Sequence, residues 1–291
     1  MKKWITLFSI AIINIVHAQG SSNRFFYELI YKPHKDSIRL EKEMMILDVD
    51  QKQSVYQAYD MIVMDSISDV IVQQAEKNGQ MPDFRTIPDR KALHFSHRIF
   101  KQYPIHQILY KDRIFEDYYS YCEDPAIQWK ISDEKQKIGT YAAQKAETDF
   151  GGRKWTAWFT TEIPIQDGPF KFYGLPGLII KIEDTGKNYS WELKGNKKIE
   201  HIKDLLFLEK IGKKALSENF RELSKEKFTE KYEAYKKDPL AQMRQMASTL
   251  PQDTQLPNGY SLSDAMREAE KKSKEQSLRN NNTIEILIKK K

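Results

Sequence analysis

Apolar and polar positions alternate in twos from Arg24 to about Asn196, in a stretch rich in Tyr, Phe, Ile, Val and Trp. Such alternation sends successive side chains to opposite faces and predicts antiparallel strands with one covered face. The first strands are expected at Arg24–Lys32, Glu43–Asp48 and Ser54–Asp60. From Met61 to Lys77 the period changes: Val63, Ile67, Val70 and Gln74 recur at helical spacing, and Asn78-Gly79 supplies a stop. After a polar, proline-marked loop at Met81–Arg90, strands resume at His97–Tyr103, His106–Tyr110 and Arg113–Tyr121, with Lys111-Asp112 as a tight link. Ile127–Ser132, Gly139–Phe150 and Arg153–Thr161 continue the series, and Gly151-Gly152 reads as a hairpin turn. Leu178–Glu183 and Tyr189–Lys194 then pair across Thr185–Asn188. Roughly nine or ten strands with short connections predict an α+β, mainly β fold: a curved antiparallel meander sheet, half-barrel-like, with one inserted helix.

Beyond Leu208 the pattern turns helical. Ser224 caps a helix through Lys237 that carries Phe228, Tyr232 and Tyr235 on one face and ends at Asp238-Pro239. A loop from Pro251 to Gly259 precedes a second helix, Asp264–Leu278, with Ser263 as its expected cap and few apolar residues to bury. The chain thus divides into an antiparallel β domain at 19–208 and a helical, basic segment at 209–291, partly mobile, behind an N-terminal leader at 1–18.

The leader has the three parts of a secretory signal peptide: basic Lys2 and Lys3, an apolar core from Ile5 to Val16, and a small-residue cleavage pattern at Val16-His17-Ala18. The apolar run is too short to span a bilayer comfortably, and no second long run follows, so no transmembrane segment is expected after cleavage. Export places the chain in the periplasm or outside the cell. Cys122 is the single cysteine, so no intramolecular disulfide forms, and stability has to come from a packed core. Residues from Glu209 onward hold 18 basic and 13 acidic side chains, while Gln19–Leu208 is close to neutral. The basic character therefore belongs to the helical segment, which argues against a nucleic-acid groove in the β domain.

Gly168-Pro169 and Pro176-Gly177 bracket a short aromatic run and lead into an apolar strand. In a type II turn, proline presets φ at the second position and glycine takes positive φ at the third. The run Gly174, Leu175, Pro176, Gly177, Leu178, Ile179 resembles the signature of the GLPGLI family, secreted proteins of Bacteroidetes also labelled for Porphyromonas gingivalis, whose function is unsettled. Arg153 through Pro164, with Gly168-Pro169, matches the family style, and Asn281-Asn282-Thr283-Ile284-Glu285-Ile286 resembles its Asn-Pro-Ile-Glu-Leu terminus, with Thr283 in place of proline. The resemblance covers most of the mature chain. Relatives carry a cysteine before a Lys-Ala pair where this chain reads Ala142-Ala143-Gln144-Lys145-Ala146, so no thiol role carries over.

The chemistry-bearing candidates are few. His94, His97 and His106 cluster in sequence, and a metal site would need them to converge with Cys122 or Asp117; strand geometry favours surface or hydrogen-bonded histidines instead. Cys122 lacks an activating environment, since Glu123 and Asp124 would raise its pKa. The carboxylate pairs Asp112/Glu116 and Glu116/Asp117 read as solvated charges, and no nucleotide-binding glycine motif is present. No catalytic residue, metal or cofactor is assigned. A ligand surface is expected from the aromatic residues Tyr118, Tyr119, Trp155, Trp158 and Phe172 with Arg153, against the alternative that alternate members simply form the core. Arg153 would hold a carboxylate or phosphate, or anchor the signature loop by bonding its carbonyls. The first expectation is a non-enzymatic binding, carrier or accessory protein for an apolar or peptide-like envelope ligand, lipid, peptide or protein, by analogy with periplasmic lipoprotein carriers. The alternatives are a hydrolase of envelope or nutrient polymers using carboxylates or a histidine-bound metal, and a docking module that acts through its sheet edge or basic helices.

Overall fold

Two meanders lie side by side in the computed structural model, which describes residues 22–83, 94–115, 117–203, 221–251, 254–255, 261–279 and 281–286. The first runs β1 (Ser22–Tyr31), β2 (Glu41–Val49), β3 (Gln53–Ala58), β4 (Arg98–Gln102), β5 (Gln107–Ile114) and β6 (Asp117–Glu123). The second runs β7 (Lys130–Ile138), β8 (Tyr141–Phe150), β9 (Arg153–Thr160), β10 (Leu178–Asp184) and β11 (Tyr189–Ile199). Pairing of β1 with β11 along the whole of β1 fuses them, and β12 (Arg221–Glu222) adds a short parallel edge beside β6. The strand order is β12-β6-β5-β4-β3-β2-β1-β11-β10-β9-β8-β7, one mostly antiparallel sheet that does not close into a barrel. Register shifts in the β1–β11, β9–β10 and β7–β8 ladders supply the local twist and bend that curl such a wide sheet.

The alternation read from the sequence sorts the two faces. Tyr27, Leu29 and Tyr31 of β1, Met45 and Leu47 of β2, and Trp155, Ala157 and Phe159 of β9 join one core on the inner face. On the outer face, Phe26 and Ile46 meet Ile62 of helix α1 (Tyr59–Lys77). Beside them the Arg24 guanidinium grips the Asp48 carboxylate through two bonds of 2.6 and 2.7 Å. Among the described residues three further helices follow: α2 (Lys225–Lys237), α3 (Ala241–Ala247) and α4 (Leu262–Arg279). Phe228 of α2 packs on Tyr119, Tyr121 and Ile114. Among the described residues, no helix is long and apolar enough to cross a membrane.

Several boundaries differ from expectation for local reasons. Helix α1 begins at Tyr59, whose ring meets Phe26 edge-on at 5.6 Å, and Asp60 suits the positive end of the helix, so the preceding strand stops at Ala58. Lys111-Asp112 is not a turn: β5 runs through it, and Phe115 (φ +58°) starts the reversal instead. The buried Asp112 carboxylate is satisfied by Ser96 Oγ, from the segment before β4, and by the Arg113 N–H, each at 2.8 Å. Ser224 caps α2 as expected, accepting from the Lys227 N–H. For α4 the cap is Ser261, which accepts from the Asp264 N–H at 3.1 Å, and Ser263 lies inside the helix. Residues 1–18, expected to be a signal peptide, most of the 81–90 loop and Glu116 lie outside the described residues.

Candidate functional site

The signature segment closes the inner face of the sheet. Between β9 and β10, residues 161–177 leave the sheet and return, held by Leu178 N–H to Ile163 O (3.0 Å), Ile179 N–H to Asp167 O (2.9 Å) and Gly174 N–H to Gln166 O (3.2 Å). Phe170, Phe172 and Leu175 descend from it into the main core, and Leu178 and Ile179 continue that packing. Lys101, on the distant strand β4, reaches the loop from the sheet floor. Its ammonium donates to the carbonyls of Gly168 (2.7 Å), Phe170 (3.1 Å) and Phe172 (3.3 Å) and pairs with Asp167, which also accepts from the Tyr103 hydroxyl. Burial pulls the Lys101 pKa down, and Asp167 opposes that shift.

The two proline-glycine turns differ from the type II reading. Gly177 takes φ +157°, and its N–H returns to the Leu175 carbonyl at 2.8 Å, a three-residue turn centred on Pro176. Its glycine is required by contact: a Cβ would lie 2.1 Å from the Thr160 carbonyl oxygen. At the other turn positive φ falls on Phe170 (+54°), and the Phe172 N–H bonds the Pro169 carbonyl at 3.2 Å.

The aromatic residues expected to form a ligand surface are largely core. Trp155, 1% exposed, packs between Phe172 (4.9 Å) and Trp191 (5.8 Å), and its indole N–H reaches the Phe150 carbonyl. Trp158 points to the opposite face and is still only 6% exposed; its cross-strand partners are Lys145 and Lys181, whose aliphatic stems suit an indole. Tyr119 is buried beside Phe228, while Tyr118 is half-buried opposite Arg113. The chain's own loop and helix cover what a ligand was expected to cover.

Arg153 organises a different structure from the one expected. Its guanidinium bonds no carbonyl of the signature loop. It donates to the carbonyls of Thr283 (2.7 Å) and Ile284 (2.9 Å), to Asn282 Oδ1 (2.8 Å) and to Asp184 (3.2 Å), above the Tyr189 ring. The C-terminal segment 282–286 is thereby drawn into the sheet's concave end. Gly151 and Gly152, at φ +58° and +74°, form the β8–β9 hairpin and leave the space that Glu285 and Ile286 occupy. The Ile286 N–H completes the contact to Gly151 O at 2.7 Å.

Glu285 leads to a second buried cation. Lys171, fully buried, pairs with Glu285 and Glu123 and donates to the Tyr121 hydroxyl at 2.9 Å; Lys225 of α2 bridges the same two carboxylates. Burial pushes the Glu285 carboxyl up, but the Lys171 and Lys225 ammonium groups outweigh it and hold its pKa below the usual range. His97 lies nearby, 5% exposed, stacked on Tyr110 at 5.3 Å and Tyr56 at 6.2 Å. Burial, with help from Lys171, lowers its pKa to about 3, so the imidazole is neutral. Of the other two clustered histidines, His94 stacks on Tyr31 and shares the Phe95 ring with His97, whereas His106 stacks on Tyr173. Among the described residues no three His, Cys, Asp or Glu side chains are placed to share a metal ion. Cys122 is exposed, and its pKa is raised by partial burial and by Glu222 of β12, not by its chain neighbours. Lys101, Asp167, Lys171 and Glu285 were not singled out by the sequence reading.

The outer face carries a groove. About 540 Å³ of space lies between α1 and the β1–β11 pair, walled by Ile62, Val63, Ile67, Val70 and Ile71 on one side and by Arg24 and Lys197 on the other. Val70 is 51% exposed. Arg24 and Lys197 are cross-strand partners; Arg24 is neutralised by Asp48, whereas Lys197 rests over the Phe26 ring at 5.7 Å.

Comparison with solved structures finds PNGF-II in two crystal forms, C2 and P21, each at 14% identity and a TM-score of 0.48 over 73% of this chain. The chain spans about a third of the length of those proteins, 32% and 33%. No curated protein matches it. Residues 151–181, the β8–β9 turn through the signature loop into β10, match the model of a family described as "Protein of unknown function (Porph_ging)", a Porphyromonas gingivalis-type family in keeping with the GLPGLI resemblance.

Proposed function

We propose that this chain is an exported, non-enzymatic binding protein of the cell envelope that holds an apolar ligand with an anionic end. The observation that supports this reading is the outer groove, where five aliphatic side chains of α1 face a wall ending in Lys197. A linear amphiphile would lay its hydrocarbon against Val63, Ile67 and Val70 and turn its anionic group toward Lys197. Each methylene removed from water contributes about 0.8 kcal/mol before the costs of immobilisation, so a long acyl chain reaches useful affinity without a deep cavity. The inner face is already filled by Phe170, Phe172 and Leu175, which makes the outer face the better candidate for a lipid-like ligand.

Native mass spectrometry of the mature chain, purified gently from its own envelope fraction, tests the proposal together with titration of a fluorescent long-chain fatty acid. The expected result is a bound amphiphile, and titration that weakens in Ile67→Glu and in Lys197→Glu. Recovery of bare protein that also fails to bind the fluorescent probe would overturn it. The same partly exposed α1 side chains favour a second reading, a docking module for an envelope protein. Co-purification of a protein that Ile67→Glu releases, with no lipid present, would select that reading.

A further inference from the structure

The C-terminal segment is read residue by residue in a way that an ordinary chain end does not require. Asn282 alone makes five hydrogen bonds with the body. Its side-chain oxygen accepts from Arg153 (2.8 Å), and its amide nitrogen donates to Lys32 O (2.9 Å) and Asn188 Oδ1 (3.2 Å). Its own carbonyl accepts from the Tyr189 hydroxyl (2.9 Å), and its N–H meets Pro33 O (3.2 Å). The next two carbonyls go to Arg153, the Ile284 side chain enters the main core, and the Glu285 carboxylate lies between Lys171 and Lys225. Groups from the β1–β2 connection, the β8–β9 turn, β9, the β10–β11 turn, the signature loop and α2 converge on one short stretch of chain.

Two further observations separate a binding site from a structural terminus. First, each cation in the cleft touches a carboxylate that belongs to the body: Asp184 for Arg153, and Glu123, shared, for Lys171 and Lys225. Vacating the cleft would therefore keep Arg153 on Asp184 and the fully buried Lys171 on Glu123, while Lys225, a third exposed, has solvent to replace Glu285, which limits the penalty of removing a buried ion-pair partner. Second, the segment arrives from an exposed arm. No side chain of α3 is buried, and none of those described in α4 is either; a contact between the two is the Arg244–Glu270 pair at 3.5 Å.

We propose that this cleft is a peptide-binding site for an extended segment of the form Asn-x-Ile-Glu, occupied in cis by the chain's own residues 282–285. In trans the occupant is a segment of another protein, because every copy of this chain already fills its own cleft. The site is independent of the outer groove. A tethered segment has an effective concentration in the millimolar range, so free peptide at micromolar concentration does not displace it from the intact chain.

The test uses the full mature chain and a fluorescein-labelled peptide with the sequence of Asn281–Ile286. In the variant Asn282→Ala/Glu285→Gln, which keeps Ile284 in the core, the labelled peptide is expected to bind at least about tenfold more tightly than to the intact chain, because the competing segment is weakened. Replacing Arg153 by Lys in that variant, or Glu by Gln in the peptide, is expected to weaken binding about tenfold or more. A folded double variant that binds neither peptide, or binds a scrambled peptide equally well, would overturn the proposal. If the double variant does not fold, Glu285→Gln alone is titrated with peptide above about 1 mM, where displacement has to appear. Pairing of the loosened variant with intact copies in analytical centrifugation would overturn the choice of partner in favour of a second copy.

Discussion

His97→Phe gives the most quantitative test of the inner site. In the native protein His97 is buried between aromatic rings, and its pKa sits at about 3 against an ordinary 6.5. The unfolded chain takes up a proton on this residue below pH 6.5, whereas the native protein does so only near pH 3. Because the unfolded state binds the extra proton, stability contributed by neutral His97 is complete above 6.5 and is lost as the pH falls toward 3. Between about pH 7.5 and pH 5 the loss is about 2 kcal/mol, at about 1.4 kcal/mol per pH unit below 6.5. Asp112 works in the opposite direction. Burial raises its pKa to about 6, so the native state binds its proton first and gains about 1.4 kcal/mol over the same acid shift. The wild-type curve is therefore a partial cancellation and tests neither group. The difference between wild type and His97→Phe removes Asp112 from the comparison. Urea unfolding followed by tryptophan fluorescence at the two pH values is expected to show that difference moving by about 2 kcal/mol in favour of the variant at acid pH, whatever packing change phenylalanine brings at both. A difference constant to within about 0.5 kcal/mol would refute the buried, neutral histidine.

Gly177→Ala places a methyl group 2.1 Å from the Thr160 carbonyl oxygen, so β9 or the signature turn has to move. A loss above about 3 kcal/mol is expected in thermal or urea unfolding, and a melting temperature within a few degrees of wild type would contradict the geometry. Lys101→Met leaves Asp167 buried without its cation and is expected to cost about 3–5 kcal/mol. Lys101→Met/Asp167→Asn should recover part of that loss, and a double variant no better than the single one would show that the ion pair is not the reason. Cys122 is expected to react with a thiol reagent near neutral pH more slowly than a free cysteine, since partial burial and Glu222 both raise its pKa. Replacing Glu222 by Gln should speed the reaction, and an unchanged rate would remove that carboxylate from the explanation.

Alternation in twos was enough to place most strands and to assign their faces, because the face of a residue is a local property of the pleat. It did not pair charges. Lys101 follows Ile99 on the inward-facing positions of β4, so the pattern already contained a lysine directed at the core. Its acceptors lie 67 to 71 residues later, in a loop whose path no local rule specifies. Arg153 shows the same limit. Its family-like setting pointed to a structural anchor in the neighbouring signature loop, yet the carbonyls it holds come from Thr283 and Ile284, about 130 residues away. The aromatic residues failed as a ligand surface for a related reason: Trp155 and Phe172 were legible as large apolar groups, but only the fold shows that each is the other's cover. Gly151-Gly152 was readable as a hairpin turn from its dipeptide alone, and positive φ at both positions accounts for it. The hairpin geometry is nevertheless only half of what those positions supply, since a side chain at either would strike Glu285 or Ile286. A residue that favours a local turn thus also clears the floor of a distant contact, and substitution by Asn, which tolerates such turns, separates the two roles: it should spare the β8–β9 register while loosening the C-terminal segment.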